Sequence, residues 1–464
     1  MCFNTTISID SIDSIDVCDP CYSSLSTQDK IDYHIFIKLV ITTSKDTQRF
    51  LDHPNRHIVN EIDFNEPFFL FAPEEGTRDV LLVNFNTLPN TIHKLSCEVN
   101  SDQRIIGTVP SSLRELHLRH IWDEDREYLE FNSMFIDHLL SNIPPTLEVL
   151  TLPGNFSSRM TECVLPTTLY DFRYRTIPPN LSKLRVPTNK VYSGCYLSTN
   201  RYLKKRWLES RTWITGIILG NYDYLEASKP IPSQVRRLEL IKIYGASEDD
   251  PPPPLILVPG WLHNNITYLS IDDLNSELEF GILPEYLETL KIEIYNVPLK
   301  PHLLPNTLKY LCLSSYDQPF FVKDSLPASL TRLELPSFKG SFEQLHPLPS
   351  LTRLYINEMN QSITTIIPTV KIIYIKLRSF ENNQVTLQPT VLHHLEFQTY
   401  NKSELKPGFL PSSIRSLVLK NCIVESTGII VDGCASIRSD IKIDPEFLPH
   451  SVKFITLSPI SIFS

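Results

Sequence analysis

One short phrase recurs along this chain: a proline followed by apolar residues three, six and eight positions later. Pro284, Leu287, Leu290 and Ile292 form one copy, and Pro305, Leu308, Leu311 and Leu313 form the next. Pro327 with Leu330, Leu333 and Leu335 follows, and Pro411 with Ile414, Leu417 and Leu419 comes later. The first three of these prolines lie 21 and 22 residues apart. A fixed period of that size marks a stacked repeat array, because a unit so short cannot bury its apolar edge alone and must lay it against its neighbours.

Clear copies start at Pro89, with Ile92, Leu95 and Cys97, and recur at Pro110, Pro144, Pro166, Pro178, Pro232, Pro389 and Pro449. At Pro349 and Pro368 the apolar set arrives one residue early (Leu351, Leu354, Ile356; Val370, Ile373, Ile375). Two copies lack the proline: His263 leads Ile266, Leu269 and Ile271, and Arg211 leads Ile214, Ile217 and Leu219. The step from Pro166 to Pro178 is only 12 residues, which leaves one of those two copies in question. The last apolar pair of each copy alternates with polar residues, as in Leu333-Glu334-Leu335, and so predicts a strand with one buried face. Repeats of one phrase running in one direction predict a parallel sheet with one strand per repeat. The proline belongs at the corner before the strand, where its missing N–H breaks no ladder bond.

Composition agrees. Thirty-six prolines against 13 glycines disfavour long helices. A formal charge of −10 argues against nucleic acid as a partner. No apolar run suggests a membrane span, and Met1 to Asp10 has neither the cationic start nor the apolar core of a signal peptide. Nine scattered cysteines without framework spacing read as free thiols in a reducing compartment, so the expected location is cytoplasmic.

Interruptions map to loops. Residues 123–142 carry Phe131, Phe135 and Leu139 at helical spacing and predict a short helix. Residues 187–210 read as a second insertion, Ser247–Pro254 as an exposed extended loop, and residues 423–443 as the last interruption.

The phrase Leu-Pro-x-Ser/Thr-Leu-x-x-Leu-x-Leu resembles a leucine-rich repeat and, more narrowly, the FNIP repeat. Leu405 to Ile414 and Leu299 to Pro305 look like that family's junctions between repeats. Its naming segment is similar to Phe64-Asn65-Glu66-Pro67, Tyr295-Asn296-Val297-Pro298 and Tyr316-Asp317-Gln318-Pro319, and in its first half to Tyr400-Asn401. The resemblance covers roughly residues 56–457. It implies a solenoid without established catalysis that binds other proteins. Some members resemble ubiquitin-ligase adaptors. That alternative would make the array a substrate-recognition subunit and residues 1–75 its adaptor-binding part, although residues 24–60 do not align with the adaptor motif.

The expected architecture is a mainly β repeat solenoid: a leucine-rich-repeat-like, right-handed parallel β superhelix, or horseshoe, with a mostly non-helical convex side. Residues 1–23, with Ser-Ile-Asp three times over, read as a disordered tail, residues 24–75 as an N-terminal cap, and residues 76–464 as the repeat solenoid.

The aromatics that follow the strands (Tyr295, Tyr316, Phe338, Tyr400) are expected to form an internal stack. Asn100, Asn155 and Asn189 lie eleven residues after their prolines, where an asparagine ladder is expected, and Cys422 is expected as a buried thiol. Cys18-x-x-Cys21 lacks a second pair at zinc-ribbon spacing. His117 with His120, and His393-His394, read as strand or surface histidines. No phosphate loop, His-Glu-x-x-His or Gly-x-Ser-x-Gly is present. No catalytic residue, metal site or cofactor is therefore expected, and an enzyme is the least favoured alternative.

Residues five, seven and nine after each proline, one fewer in the two early copies, should project from the concave sheet face. These include Arg173, Arg175, Lys183 and Arg185, with Asp171 among them, and later Tyr310, Arg332, Arg353, Tyr355 and Tyr374. Arginine and tyrosine are enriched at interface hot spots. The expected function is a monomeric protein-interaction scaffold binding an unidentified protein partner through that face.

Overall fold

The computed structural model describes residues 4–7, 36–41, 49–64, 82–99, 104–106, 109–120, 133–154, 156, 159, 162–199, 205–220, 231–242, 255, 257–274, 276–356, 360–377, 387, 391–405, 412–424, 429–430 and 454–458. Two compact units divide the chain. One takes Met1–Thr199 with Lys204–Ile217, the other Asn200–Leu203 with Ile218–Ser464. Each is a parallel β-solenoid with few helices.

In the first unit the strands Asn4–Ile7, Phe36–Ile41, Glu61–Phe64, Lys94–Val99, Glu115–His120, Val149–Thr151, Asp171–Thr176 and Cys195–Thr199 pair in parallel, each with the next. The ladder therefore takes in backbone from the segments expected as tail and cap. Ile37, Leu39 and Ile62 explain the second and third rungs, since each is buried on one face of its strand.

The second unit stacks Arg237–Ile241, Tyr268–Asp273, Thr289–Ile294, Tyr310–Leu313, Arg332–Leu335, Arg353–Ile356, Ile372–Leu377, His394–Leu405, Ser416–Val424 and Phe454–Ser458 in the same manner. Leu290, Leu311, Leu333 and Leu354 stand opposite one another in register and are all buried. Part of the 423–443 interruption forms the strand Ile429–Ile430, antiparallel to Ile423 and Val424.

The phrase has a geometric cause at each position. The proline carbonyl accepts the N–H of the apolar residue three positions on: Leu287 to Pro284 at 3.2 Å, Leu308 to Pro305 at 3.1 Å, Leu330 to Pro327 at 3.2 Å. In the two early copies the acceptors are Leu348 and Ile367, so the proline moves to the second turn position, whose φ its ring already matches. Where proline is missing, His263 and Arg211 accept the same bond. The serine or threonine two places after the proline donates its hydroxyl to the preceding rung. Thr307 Oγ1 reaches the Glu285 and Leu287 carbonyls at 2.7 and 3.0 Å, and Ser329 and Thr168 repeat the contact at 2.6 and 2.8 Å.

The aromatic stack is present. Phe321 lies 4.9 Å from the rings of both Tyr316 and Phe338 and 5.7 Å from Phe342, all four buried. The residues after Tyr295 and Tyr316 carry a side-chain ladder. Asn296 Oδ1 accepts the Asp317 N–H at 2.9 Å, and Asp317 in turn accepts the Lys339 N–H at 3.3 Å. The ladder thus falls twelve residues after the proline in this unit, one later than expected, because the aromatic must first turn inward. Asn189 belongs to no ladder. Its φ of 66° places it in the turn closed by the Lys190 N–H on the Pro187 carbonyl.

Two expectations change. The Pro178 copy is not a rung of the main ladder: Pro178–Leu181 is a short helical turn, and Leu184–Arg185 pairs with Cys163–Val164 in a separate two-stranded sheet. The insertion expected over residues 187–210 instead contains the rung Cys195–Thr199, where Tyr192, Cys195 and Leu197 occupy the three buried positions. A tyrosine and a cysteine fill places where leucine is usual, so the phrase was hidden. The expected helix forms as Met134–Ser141, capped by the Ser133 hydroxyl, with Ile136, Leu139 and Leu140 buried. Phe131, the Ser247–Pro254 loop, Cys18, Cys21, Asn100 and Asn155, and the side chains of Phe135, His120, Tyr400 and Cys422, lie outside the described residues.

Candidate functional site

Period-two alternation buries the leucine rows and leaves the intervening residues on the opposite face. In the second unit these form two rows. Arg237, Tyr268, Thr289, Tyr310, Arg332, Arg353 and Tyr374 stand in register, and Glu239, Ser270, Lys291, Cys312, Glu334, Tyr355 and Lys376 run beside them.

Neighbouring cations and rings interlock. The Arg237 guanidinium lies 3.5 Å over Tyr268, Arg332 lies 4.4 Å over Tyr310, Lys291 lies 5.1 Å over Tyr310, and Lys376 lies 5.3 Å over Tyr355. Carboxylates complete the lattice: Glu239 pairs with Arg237 at 2.6 Å, and Glu334 pairs with Arg332 at 2.5 Å while accepting the Tyr310 hydroxyl at 2.9 Å. Burial, together with the Glu334 carboxylate, pushes the Tyr310 phenol well above its ordinary value. Burial opposes the Arg332 charge, yet the hydrogen bond and charge of Glu334 outweigh it and raise its pKa.

Arg332, Arg353, Tyr355 and Tyr374 line one concavity of about 590 Å³, together with Glu334, Lys376 and Glu396. Four of the nine expected binding residues therefore converge, and Tyr310 adjoins them through Glu334. The convergence depends on register. Counting from the prolines sets Tyr374 beside Tyr355, but the sheet sets it beside Arg353 and pairs Tyr355 with Lys376. The 19-residue step from Pro349 to Pro368 is two residues short, whereas the ladder keeps Leu354 opposite Ile375. A slip of two preserves which face each residue occupies.

The basic residues of the first unit do not gather in this way. Arg173 is held by Asp171, with Nη2 at 2.7 Å and Nε at 3.0 Å from Oδ2. Its side chain crosses the backbone of Gly194, where a Cβ would come within 2.5 Å of Arg173 Cγ. Arg175 stands opposite Tyr196 on the same sheet. Arg185 leaves this face with the two-stranded pair, preceded by Lys183, whose carbonyl accepts the Cys163 N–H, and Arg185 is taken up by an ion pair with Glu162.

A charged lattice on this unit's own sheet escaped notice, although it obeys the same count from Pro89 and Pro110. Glu115 lies 3.3 Å from Lys94 and 3.5 Å from His117, whose Nδ1 lies 3.0 Å from Thr151 Oγ1. The His117 hydrogen bond, helped by Lys94 and opposed by burial, lowers the Glu115 pKa to about 2. His394 is likewise satisfied, 2.9 Å from Ser416 Oγ.

Among the described residues no three His, Cys, Asp or Glu side chains gather as a metal site, and no helix is long and apolar enough to cross a membrane. Cys97, Cys163, Cys195 and Cys312 are free thiols, and burial raises Cys163 to about 12.

A family model described as FNIP Repeat matches residues 295–338, a window that opens on the buried Tyr295 and closes on the buried Phe338. Over that window the chain is similar to the FNIP repeat. No curated protein matches its sequence. A solved circular leucine-rich-repeat protein, CroV588, is similar at 16% identity with a TM-score of 0.37, over 91% of this chain and 59% of that chain. This chain thus spans less than two thirds of that protein's length.

Proposed function

We propose that this protein is a non-catalytic interaction scaffold that binds a protein partner through the polar sheet face of its second unit, the face expected from sequence to be concave. The observation that carries the reading is the meeting of Arg332, Arg353, Tyr355 and Tyr374 in one concavity of about 590 Å³. Arginine and tyrosine combine large contact area with directional hydrogen bonding, which is why they dominate interface energetics. A continuous ladder beneath them holds the face rigid before a partner arrives, so little ordering entropy is lost on binding. Free thiols at Cys97, Cys163, Cys195 and Cys312 accord with residence in the reducing cytoplasm. We take the working form to be the monomer, which light scattering tests directly.

Proximity labelling in the native cell tests the scaffold reading. The wild type is compared with an Arg353→Glu, Tyr374→Ala double variant whose melting curve matches it. At least one labelled protein should disappear with the double substitution. Identical labelled sets from the two proteins would refute binding through this face.

A further inference from the structure

The concavity on the second unit is not an evenly neutralised surface. Three of its lining cations are Arg332, Arg353 and Lys376, against two carboxylates, Glu334 and Glu396. Arg332 is committed to Glu334 at 2.5 Å, and Lys376 lies over the Tyr355 ring. Arg353 is exposed and has no ion-pair or ring partner among the described residues. Yet the sheet register places Arg353 directly opposite Arg332. Like charges facing each other across a strand pair are destabilising. Glu334 relieves one member of this pair only, so the face presents a guanidinium set beside a like charge and left without its own anion.

We infer that this concavity takes a single carboxylate, the side chain of an aspartate or glutamate in a partner peptide, on the Arg353 guanidinium. The inference rests on the scaffold reading above and deepens it by naming the partner's chemistry. A guanidinium offers parallel N–H donors that match the two oxygens of a carboxylate. Tyr374, in register on the other side of Arg353, places a phenol at the same position of the next strand. One unneutralised cation, with Glu334 and Glu396 on the same lining, suits a monoanion and disfavours a phosphate dianion. The volume lies within the roughly 300–1,000 Å³ typical of ligand sites and leaves room for the residues flanking the acid. Charge complementarity here is local: the chain as a whole carries −10, while the concavity carries one cation in excess.

The test uses the full-length protein and three pools of unstructured hexapeptides with randomised flanks and a fixed centre of glutamate, glutamine or phosphoserine. Equilibrium binding is read for the wild type, Arg353→Gln and Arg353→Lys. The glutamate pool should bind the wild type at least about tenfold better than the glutamine pool, the size expected of a charge-assisted hydrogen bond. Arg353→Gln should erase that preference and Arg353→Lys reduce it, with melting temperatures no lower than the wild type's. The lysine variant keeps the charge and the fold, and so reads the loss of bidentate geometry should the glutamine variant prove unstable. Equal binding of the glutamate and glutamine pools overturns the inference while leaving the scaffold reading intact. Persistence of the preference in Arg353→Gln removes Arg353 as the anchor. Stronger binding of the phosphoserine pool overturns carboxylate selection. Binding by no pool also ends the inference, and the labelling experiment then decides the scaffold reading alone.

Discussion

Phe320 and Phe321 are adjacent in sequence and opposite in environment, which makes them a sharp test of what holds the stack together. Phe321 is fully buried and touches three rings, with centroids 4.9, 4.9 and 5.7 Å away, whereas Phe320 is 43% exposed. Truncating a buried phenylalanine to alanine costs about 3–5 kcal/mol from lost transfer energy and the residual cavity. That range already contains the lost aromatic pairs, worth about 0.5–1.5 kcal/mol each where the geometry is good, so well-stacked rings move a site toward its upper end. Only Tyr316 and Phe342 are stacked on Phe321, while the Phe338 ring is tilted at 48°. Phe321→Ala should therefore fall at the upper end of the range, at about 4–5 kcal/mol, and Phe320→Ala within about 0.5 kcal/mol of the wild type. Because each repeat contacts only its neighbours, the damage should be local. Equilibrium urea unfolding would be read beside amide exchange at Tyr310–Leu313 and Arg332–Leu335, the strands flanking the stack, with Ser416–Val424 as the distant reference. Similar losses for the two substitutions, or exchange that rises equally at the distant strand, would refute the internal-stack account.

Other expectations follow from single contacts. Thr307→Val should destabilise more than Thr307→Ser, by roughly 0.5–1 kcal/mol, because serine keeps the hydroxyl that bonds the Glu285 and Leu287 carbonyls; urea midpoints compare them. Gly340→Ala should cost about 1–3 kcal/mol, since a Cβ there would stand 2.2 Å from the Gln318 backbone oxygen, which cannot swing aside. The Glu115 pKa is lowered to about 2 in the folded state, so its contribution is complete above the ordinary carboxylate value of 4.5 and is lost as pH falls from there toward 2. Urea titrations between pH 6 and 2.5 should show Glu115→Gln losing less stability over that interval than the wild type; equal losses would remove Glu115 from the account.

How much was legible depended on which residue types carried the pattern. Leucine and isoleucine at three, six and eight after a proline announced their rungs, because a parallel ladder demands the same burial at the same place in every unit. Cys195–Thr199 was missed because Tyr192 and Cys195 occupy the same buried positions without the leucine signature. Pro178 misled for the converse reason: proline also begins helical turns, and Pro178–Leu181 uses it so. The serine and threonine of the phrase were visible as letters, but their hydroxyl bonds to the preceding rung appear only once two rungs lie side by side.

From sequence alone came the parallel solenoid, the inward aromatics and the list of polar residues facing away from the leucines. Periodicity decides these, since it sets which side of a strand each residue occupies. Tertiary register decided which of those polar residues meet. It sent Arg185 to another sheet, moved Tyr374 from beside Tyr355 to beside Arg353, and set Arg353 against Arg332. Neighbours across a ladder are some twenty residues apart in the chain, and insertions change that distance without changing the pattern within a strand. No reading of one strand at a time can recover them.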